Sequence, residues 1–173
     1  MEVPLSDHGN DLCNGSNLIV LDDQERILIV REVSRKQKLM LPGGTIDRGE
    51  SPRHAAQSET EEEASLMTDE TDFRLIGLFV QRPKGVVFLY ETRRFYGEPR
   101  PKGDTSEAKF MSMEEILSTN PDDFRTAYLR MILRYRRCVL GIDKIPYEGR
   151  LSDPVEFPRH LNGDDYANLV LTV

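Results

Sequence analysis

Glu59, Glu62 and Glu63 stand at i, i+3 and i+4 in a segment, SPRHAAQSETEEEAS, that reads as a helix. At that spacing the three carboxylates share one helix face. Such a group repels itself unless a cation sits among its members or water screens them. Hard oxygen donors at this density suit Mg²⁺ or Mn²⁺, which keep several waters and bridge to substrate phosphates. Glu50 lies just ahead of the helix, within reach of the same cluster. Gly43 and Gly44 permit close backbone approach, so a main-chain carbonyl can add a further ligand. The plainer alternative is that the run Glu61-Glu62-Glu63 is a solvated helix face. What favours a site is the context: an apolar strand, two glycines, a polar turn, a glutamate and a capped helix.

The elements that must position these groups are legible on either side. Ser51 is a good N-cap and Pro52 fits the first helical position, so the helix is expected over 51–65. Upstream, the β-branched runs at 17–21 and 26–33 flank a four-residue polar turn and read as a β-hairpin. A short strand over 39–42 stops at Pro42-Gly43-Gly44. Downstream, strands are expected at 75–80 and 86–91, a loop over 96–104, a strand at 108–111 and a short helix at 112–117. A helix over about 121–138 carries Phe124, Tyr128, Met131, Ile132 and Tyr135 at spacings of three and four, a core-packing stripe. Strands, a helix, then strands and helices again describe a mixed α/β domain.

The segment over 44–66 resembles the Nudix box, whose pattern is G, five residues, E, seven residues, R-E-U-x-E-E-x-G-U with U aliphatic. From Gly44, five residues lead to Glu50 and seven more to Ser58; Glu59, Glu62 and Glu63 then take the box glutamates and Leu66 the last aliphatic place. Ser58 stands for the box arginine, Thr60 for an aliphatic residue and Ser65 for the box glycine. The resemblance, which covers about 17–138, implies a Nudix-type α/β/α sandwich with a mixed sheet. It divides the chain into an arm (1–16), the domain (17–140) and a C-terminal extension (141–173).

The resemblance also implies an activity: hydrolysis of a nucleoside diphosphate linked to another moiety, with Mg²⁺ or Mn²⁺. By analogy the metal ligands are Glu59, Glu62, Glu63 and the carbonyl of Gly44, with Glu50 in support. The base that takes the proton of the attacking water is Glu59 or Glu107, since the family uses either a box residue or a carboxylate from a distant loop. In the family the box arginine orients a box glutamate, and Ser58 cannot form that ion pair. The altered support fits a working hydrolase, or a weakened domain that senses a nucleotide without cleaving it. Pro83, 17 residues after Leu66, tilts the substrate toward ADP-ribose or a nucleotide sugar over a nucleoside triphosphate.

Substrate phosphates need cations too. The stretch over 82–109 carries seven Lys and Arg against four Asp and Glu, in a chain of net charge −7. Arg82 and Lys84 in this stretch, with Arg31 at a strand end, are the candidate substrate-binding residues. The acidic balance, with a sequence pI near 5.1, argues against an extended nucleic-acid partner. No apolar run approaches the length of a membrane span. Nor does the N-terminus read as a signal peptide. Cys13 and Cys138 have no CxxC or His-rich partner, which fits reduced thiols in the cytoplasm. The apolar run at 169–173 pairs either within the chain or with a second copy in a homodimer, and both stay open.

Overall fold

Residues 18–21 and 27–30 are apolar at every position, and all eight side chains are at most 2% exposed. Strands buried on both faces belong to the middle layer of a sandwich. The computed structural model, which describes residues 14–34, 37–81, 85–139 and 147–150, shows that layer. Its elements are β1 (Gly15–Val20), β2 (Ile27–Glu32), β3 (Leu39–Met40), β4 (Gly43–Thr45), α1 (Pro52–Ala64), β5 (Met67–Thr68), β6 (Arg74–Gln81), β7 (Gly85–Thr92), β8 (Phe95–Tyr96), β9 (Thr105–Met111), α2 (Met113–Ser118), α3 (Thr126–Val139) and β10 (Tyr147–Arg150). A five-stranded sheet runs in the order β10-β6-β7-β1-β4, and a three-stranded sheet in the order β3-β2-β9. The larger sheet is mixed: β1 lies parallel to β7 and β10 parallel to β6, while β1–β4 and β6–β7 are antiparallel.

Alternate residues of the central strands face opposite layers, as a period of two requires. Ile19, Leu21, Ile27 and Ile29 pack with Ile116 of α2 and with Leu129, Met131, Ile132 and Tyr135 of α3. Leu18, Val20, Leu28 and Val30 pack instead with Ala56 and Ala64 of α1, Leu66, Phe73 and Tyr90. This is the α/β/α sandwich with a mixed sheet that the resemblance implies.

The hairpin expected from 17–21 and 26–33 is not formed. β1 and β2 share only the bridge Leu21↔Ile27, and they belong to different sheets. Each strand already has a neighbour on both sides, β7 and β4 for β1, β3 and β9 for β2, so no edge remains for the other. The glycines at 43–44 do not stop the chain either; they form β4 and pair with Ser16 and Asn17. α3 starts later than expected, because Pro121–Asp123 form a 3₁₀ turn and Phe124 is extended, bridging to Leu39. β10 arises in a tail whose sequence carries little pattern. Residues 1–13 of the arm, Pro83 and the run at 169–173 lie outside the described residues, whereas Gly15 and Ser16, placed in the arm by sequence, begin β1 because they pair with β4 and β7.

Candidate active site

α1 is built to sit close. Ser51 Oγ accepts from His54 N at 3.1 Å, Pro52 occupies the first turn, and Ser16 Oγ of β1 donates to the Pro52 carbonyl at 2.6 Å. Its buried face is small: Ala55, Ala56, Thr60 and Ala64. Thr60, in place of the expected aliphatic residue, is fully buried, and its hydroxyl donates to the Ala56 carbonyl at 2.7 Å. That bond satisfies the one polar atom the substitution adds. At the other end, Arg100 N donates to the Ala64 carbonyl (2.9 Å), and Lys102 N (3.2 Å) and Thr105 Oγ1 (2.6 Å) donate to that of Glu63. The loop over 97–104 and the first residue of β9 thus supply donors to carbonyls at the end of the helix, and they hold the Glu63 backbone in place.

Ser65, where the box has glycine, closes α1 in the left-handed region at φ 58°. A side chain there costs about 1 kcal/mol relative to glycine. Ser65→Gly is therefore expected to raise the melting temperature by about 2–4 °C in a domain of this size, read by thermal denaturation.

The two glycines and two of the glutamates form a matched set. Gly43 N donates to Glu63 Oε2 at 3.0 Å, while a Cβ on Gly44 would lie 2.1 Å from Glu59 Oε1. Gly44 therefore has no side chain because the Glu59 carboxylate occupies that space. Gly43 is limited by the backbone: at φ 145° its Cβ would meet the Ser16 carbonyl oxygen at 2.3 Å and Asn17 Cα at 2.7 Å. The two alanine substitutions should differ. Gly43→Ala costs on the order of 3 kcal/mol or more, from strain and overpacking together, and loses folded protein. Gly44→Ala meets only the end of a flexible side chain, so it should leave the melting temperature within a few degrees while displacing Glu59. Thermal denaturation beside Mn²⁺ titration of both variants checks this.

Charge accumulates here without compensation. Burial first, then the Glu62, Glu50 and Asp47 carboxylates, pushes Glu59 up from the ordinary carboxylate value. Glu63 is pushed up to about 8, chiefly by burial; the Gly43 N–H opposes this, and Glu59, Glu32 and Glu62 add to it. Among the described residues, no Lys, Arg or His pairs with Glu59, Glu62 or Glu63. Glu62 is exposed, and Glu50 accepts from Asp47 N at 3.0 Å. Also among the described residues, no three His, Cys, Asp or Glu side chains converge into a finished metal cage. Mg²⁺ does not require one, since it is usually held by one or two carboxylates with waters and substrate phosphates completing the shell. Hard, uncompensated oxygen donors beside an open backbone fit such a cation.

The other expected site residues are distributed differently. Arg31 and Glu107 are register partners across β2–β9, and their side chains pair: Arg31 Nε to Glu107 Oε2 at 2.8 Å. Lys109 Nζ lies 2.6 Å from the other Glu107 oxygen, and the two cations hold this carboxyl below its usual range. Arg31 Nη1 also donates to the Gln37 carbonyl at 2.9 Å. Arg82 and Lys84 lie outside the described residues. Arg93 pairs with Glu25 and Arg94 with Asp72 beyond the far end of β7, on the order of 16 Å along the strand from Val87, which faces Gly15 near β4. Those two arginines do not contribute to a positive field at the site. Arg53 does not replace the box arginine: its Nη1 donates to the carbonyls of Glu70 (2.8 Å) and Phe73 (2.6 Å), and its guanidinium lies over the Tyr90 ring.

Sequence reasoning missed Asp47, which sits in the variable part of the box turn, and Glu32 at the end of β2. Both act on the box glutamates electrostatically. A carboxylate ending an apolar strand is the only signal Glu32 offers, and solvated strand ends share it.

Comparison with known proteins supplies the remaining observation. No curated protein matches the chain. Solved structures similar to it include a MutT/nudix family protein from Enterococcus faecalis, 16% identical with a TM-score of 0.66 over 82% of this chain and 66% of that one. A NUDIX hydrolase from Nitrosomonas europaea is also 16% identical, with a TM-score of 0.66 over 83% of this chain and 80% of that one. The NUDIX domain of Shewanella oneidensis NrtR, crystallised with ADP ribose, is 16% identical with a TM-score of 0.61 over 73% of this chain and 88% of that one. At these identities the likeness concerns the fold. The sequence itself matches the model of the NUDIX domain over residues 13–135, which takes in both sheets' central strands, α1 and the paired glycines. The chain belongs to the NUDIX domain family.

Proposed function

We propose that the chain hydrolyses a phosphoanhydride bond in a nucleoside diphosphate linked to another moiety, using Mg²⁺ or Mn²⁺. The observation that carries this reading is the seating of Glu59 and Glu63 on the two glycines, with no cation among the described residues paired to them. Glu59, Glu62, Glu63 and the Gly44 carbonyl would hold the metal, with Glu50 in support. Such an ion, when bound, would neutralise charge on the bridging and leaving oxygens and would make water a better nucleophile. Glu59 is the better proton acceptor of the two candidates, because its raised affinity for a proton suits a base. Glu107 is committed to Arg31 and Lys109, so it positions Arg31 as an anchor for substrate phosphate. Arg82 and Lys84 are assigned to substrate phosphate on sequence grounds alone.

ADP-ribose or a nucleotide sugar is favoured over a triphosphate. Pro83 supports this by its spacing from the box, and the ADP ribose held by the Shewanella domain supports it by likeness of fold. The test is a cleavage assay with Mg²⁺ or Mn²⁺ over ADP-ribose, nucleotide sugars, dinucleoside polyphosphates and triphosphates, with products followed by phosphorus NMR. Metal-dependent release of a nucleoside monophosphate from ADP-ribose or a sugar nucleotide is expected. No cleavage of any member would contradict the reading.

A second reading, a nucleotide sensor with little turnover, is favoured by Ser58 and by the commitment of Arg53 elsewhere. Ser58→Arg separates the two. A rise from almost no turnover would make the native chain a sensor, and a modest change on an active native chain would keep it a hydrolase.

A further inference from the structure

Glu32 presents a polar atom that the described residues leave unmatched. Its side chain is 12% exposed, and Oε1 lies 3.6 Å from Arg125 Nη1. Oε2 is buried with no hydrogen-bond partner among the described residues. A buried carboxylate oxygen without a donor costs free energy, and such atoms are uncommon in folded chains. The neighbourhood is assembled from several elements where the two sheets meet. Arg125, at the entry to α3, lies over the Tyr128 ring at 5.3 Å and 4.0 Å from Met40 Sδ of β3. Asn17 of β1 donates to the Pro42 carbonyl at 3.3 Å, and its amide reaches the Tyr128 hydroxyl. Glu63 is near enough to interact electrostatically with both Glu32 and Tyr128, which sets this seam beside the acidic corner.

We infer that Glu32 Oε2 accepts an N–H from the nucleobase of the bound ligand, which makes Glu32 a specificity-determining residue. The inference rests on the reading that the chain binds a nucleotide. A second metal ion is disfavoured at this oxygen, because the Arg125 guanidinium already lies against the same carboxylate and repels another cation. A neutral N–H meets no such penalty. The adjacent thioether and aromatic ring are surfaces that accept a planar heterocycle.

The test uses nucleoside monophosphates, which have no anhydride bond to lose, titrated with Mg²⁺ present into the native chain and Glu32→Gln. Guanosine is compared with inosine monophosphate and adenosine with purine riboside monophosphate, each pair differing by one amino group, in ribo and 2′-deoxy forms. The native chain is expected to prefer the amino-bearing member of one pair, and Glu32→Gln to weaken that member by about tenfold or more while leaving its partner unchanged. The melting temperature of Glu32→Gln should stay within about 2 °C of the native value, because loss of the 3.6 Å Arg125 pair is offset by relief of the repulsion with Glu63. Equal affinities in native and variant overturn the inference, as does a loss that follows the 2′-hydroxyl, which would assign Glu32 to the ribose. A fall in affinity for Mn²⁺ alone would make Glu32 a metal ligand, and a melting temperature lower by several degrees would make it a structural partner of Arg125; either overturns it. If the native chain binds neither these monophosphates nor any diphosphate of the cleavage panel, the proposed function itself fails.

Discussion

Glu59→Gln and Glu63→Gln are each expected to lower the rate of anhydride cleavage by about 10²–10³-fold, while Glu61→Gln stays within about twofold of native. The magnitude is that of removing one preorganised electrostatic group from an active site, about 2.7–4 kcal/mol. All three residues lie on α1 and differ only in where the helix turns them. Glu59 lies over Gly44 and Glu63 on the Gly43 N–H, whereas Glu61 is exposed. Glutamine keeps the size of each side chain and an oxygen that can accept from Gly43, so folding should survive. Measuring kcat/KM beside the melting temperature separates the two effects. Equal losses for all three variants would point to general damage to the helix. No loss for Glu59→Gln would place the metal and the proton acceptor elsewhere.

The second large effect is on stability against pH. Burial and neighbouring carboxylates raise Glu63 from an ordinary 4.5 to about 8 in the folded chain. The folded state therefore holds this proton more tightly than the unfolded state. The associated stability is complete below about pH 4.5 and is lost as pH rises through about 8. At about 1.4 kcal/mol per pKa unit, the loss amounts to a few kcal/mol, or on the order of 10 °C in melting temperature. A divalent cation binds the deprotonated carboxylate, so Mn²⁺ should raise the melting temperature far more at pH 8 than at pH 5. At a hundredfold excess over its dissociation constant the gain is about 2.7 kcal/mol. Glu63→Gln should flatten the pH slope and remove most of the Mn²⁺ response. Thermal denaturation across pH 5–9, with EDTA or Mn²⁺, checks all of this in one series.

The layers of the fold and the centre of the site were legible because local chemistry and global role agree there. Ser51-Pro52 starts a helix whatever surrounds it, and a spacing of three and four places glutamates on one face of any helix. Pairing between strands was less legible. Two apolar runs around a short turn satisfy the hairpin rule, but apolarity on both faces requires each strand to be central, and central strands need other partners. The role of Gly43-Gly44 was only partly visible, since a glycine pair that turns the chain and one that admits a carboxylate have the same sequence. Residues 96–104 read as a loop, and nothing local announces that N–H groups of this stretch close the end of α1. Glu32 and Asp47 act through space on residues far along the chain or across a turn, so no periodicity reveals them. Arg53 shows the reverse: it is close to the box in sequence yet is held by the carbonyls of residues 70 and 73.

The most direct measurement is a calorimetric titration of Mn²⁺ at pH 8 into the native chain, Glu59→Gln, Glu63→Gln and Glu61→Gln, with and without ADP-ribose. Saturable binding to the native chain, weakened at least about tenfold in the first two variants and unchanged in the third, is the expected result. Native binding that is absent, or indifferent to Glu59 and Glu63, would contradict the assignment of this acidic corner as the metal-dependent hydrolytic centre.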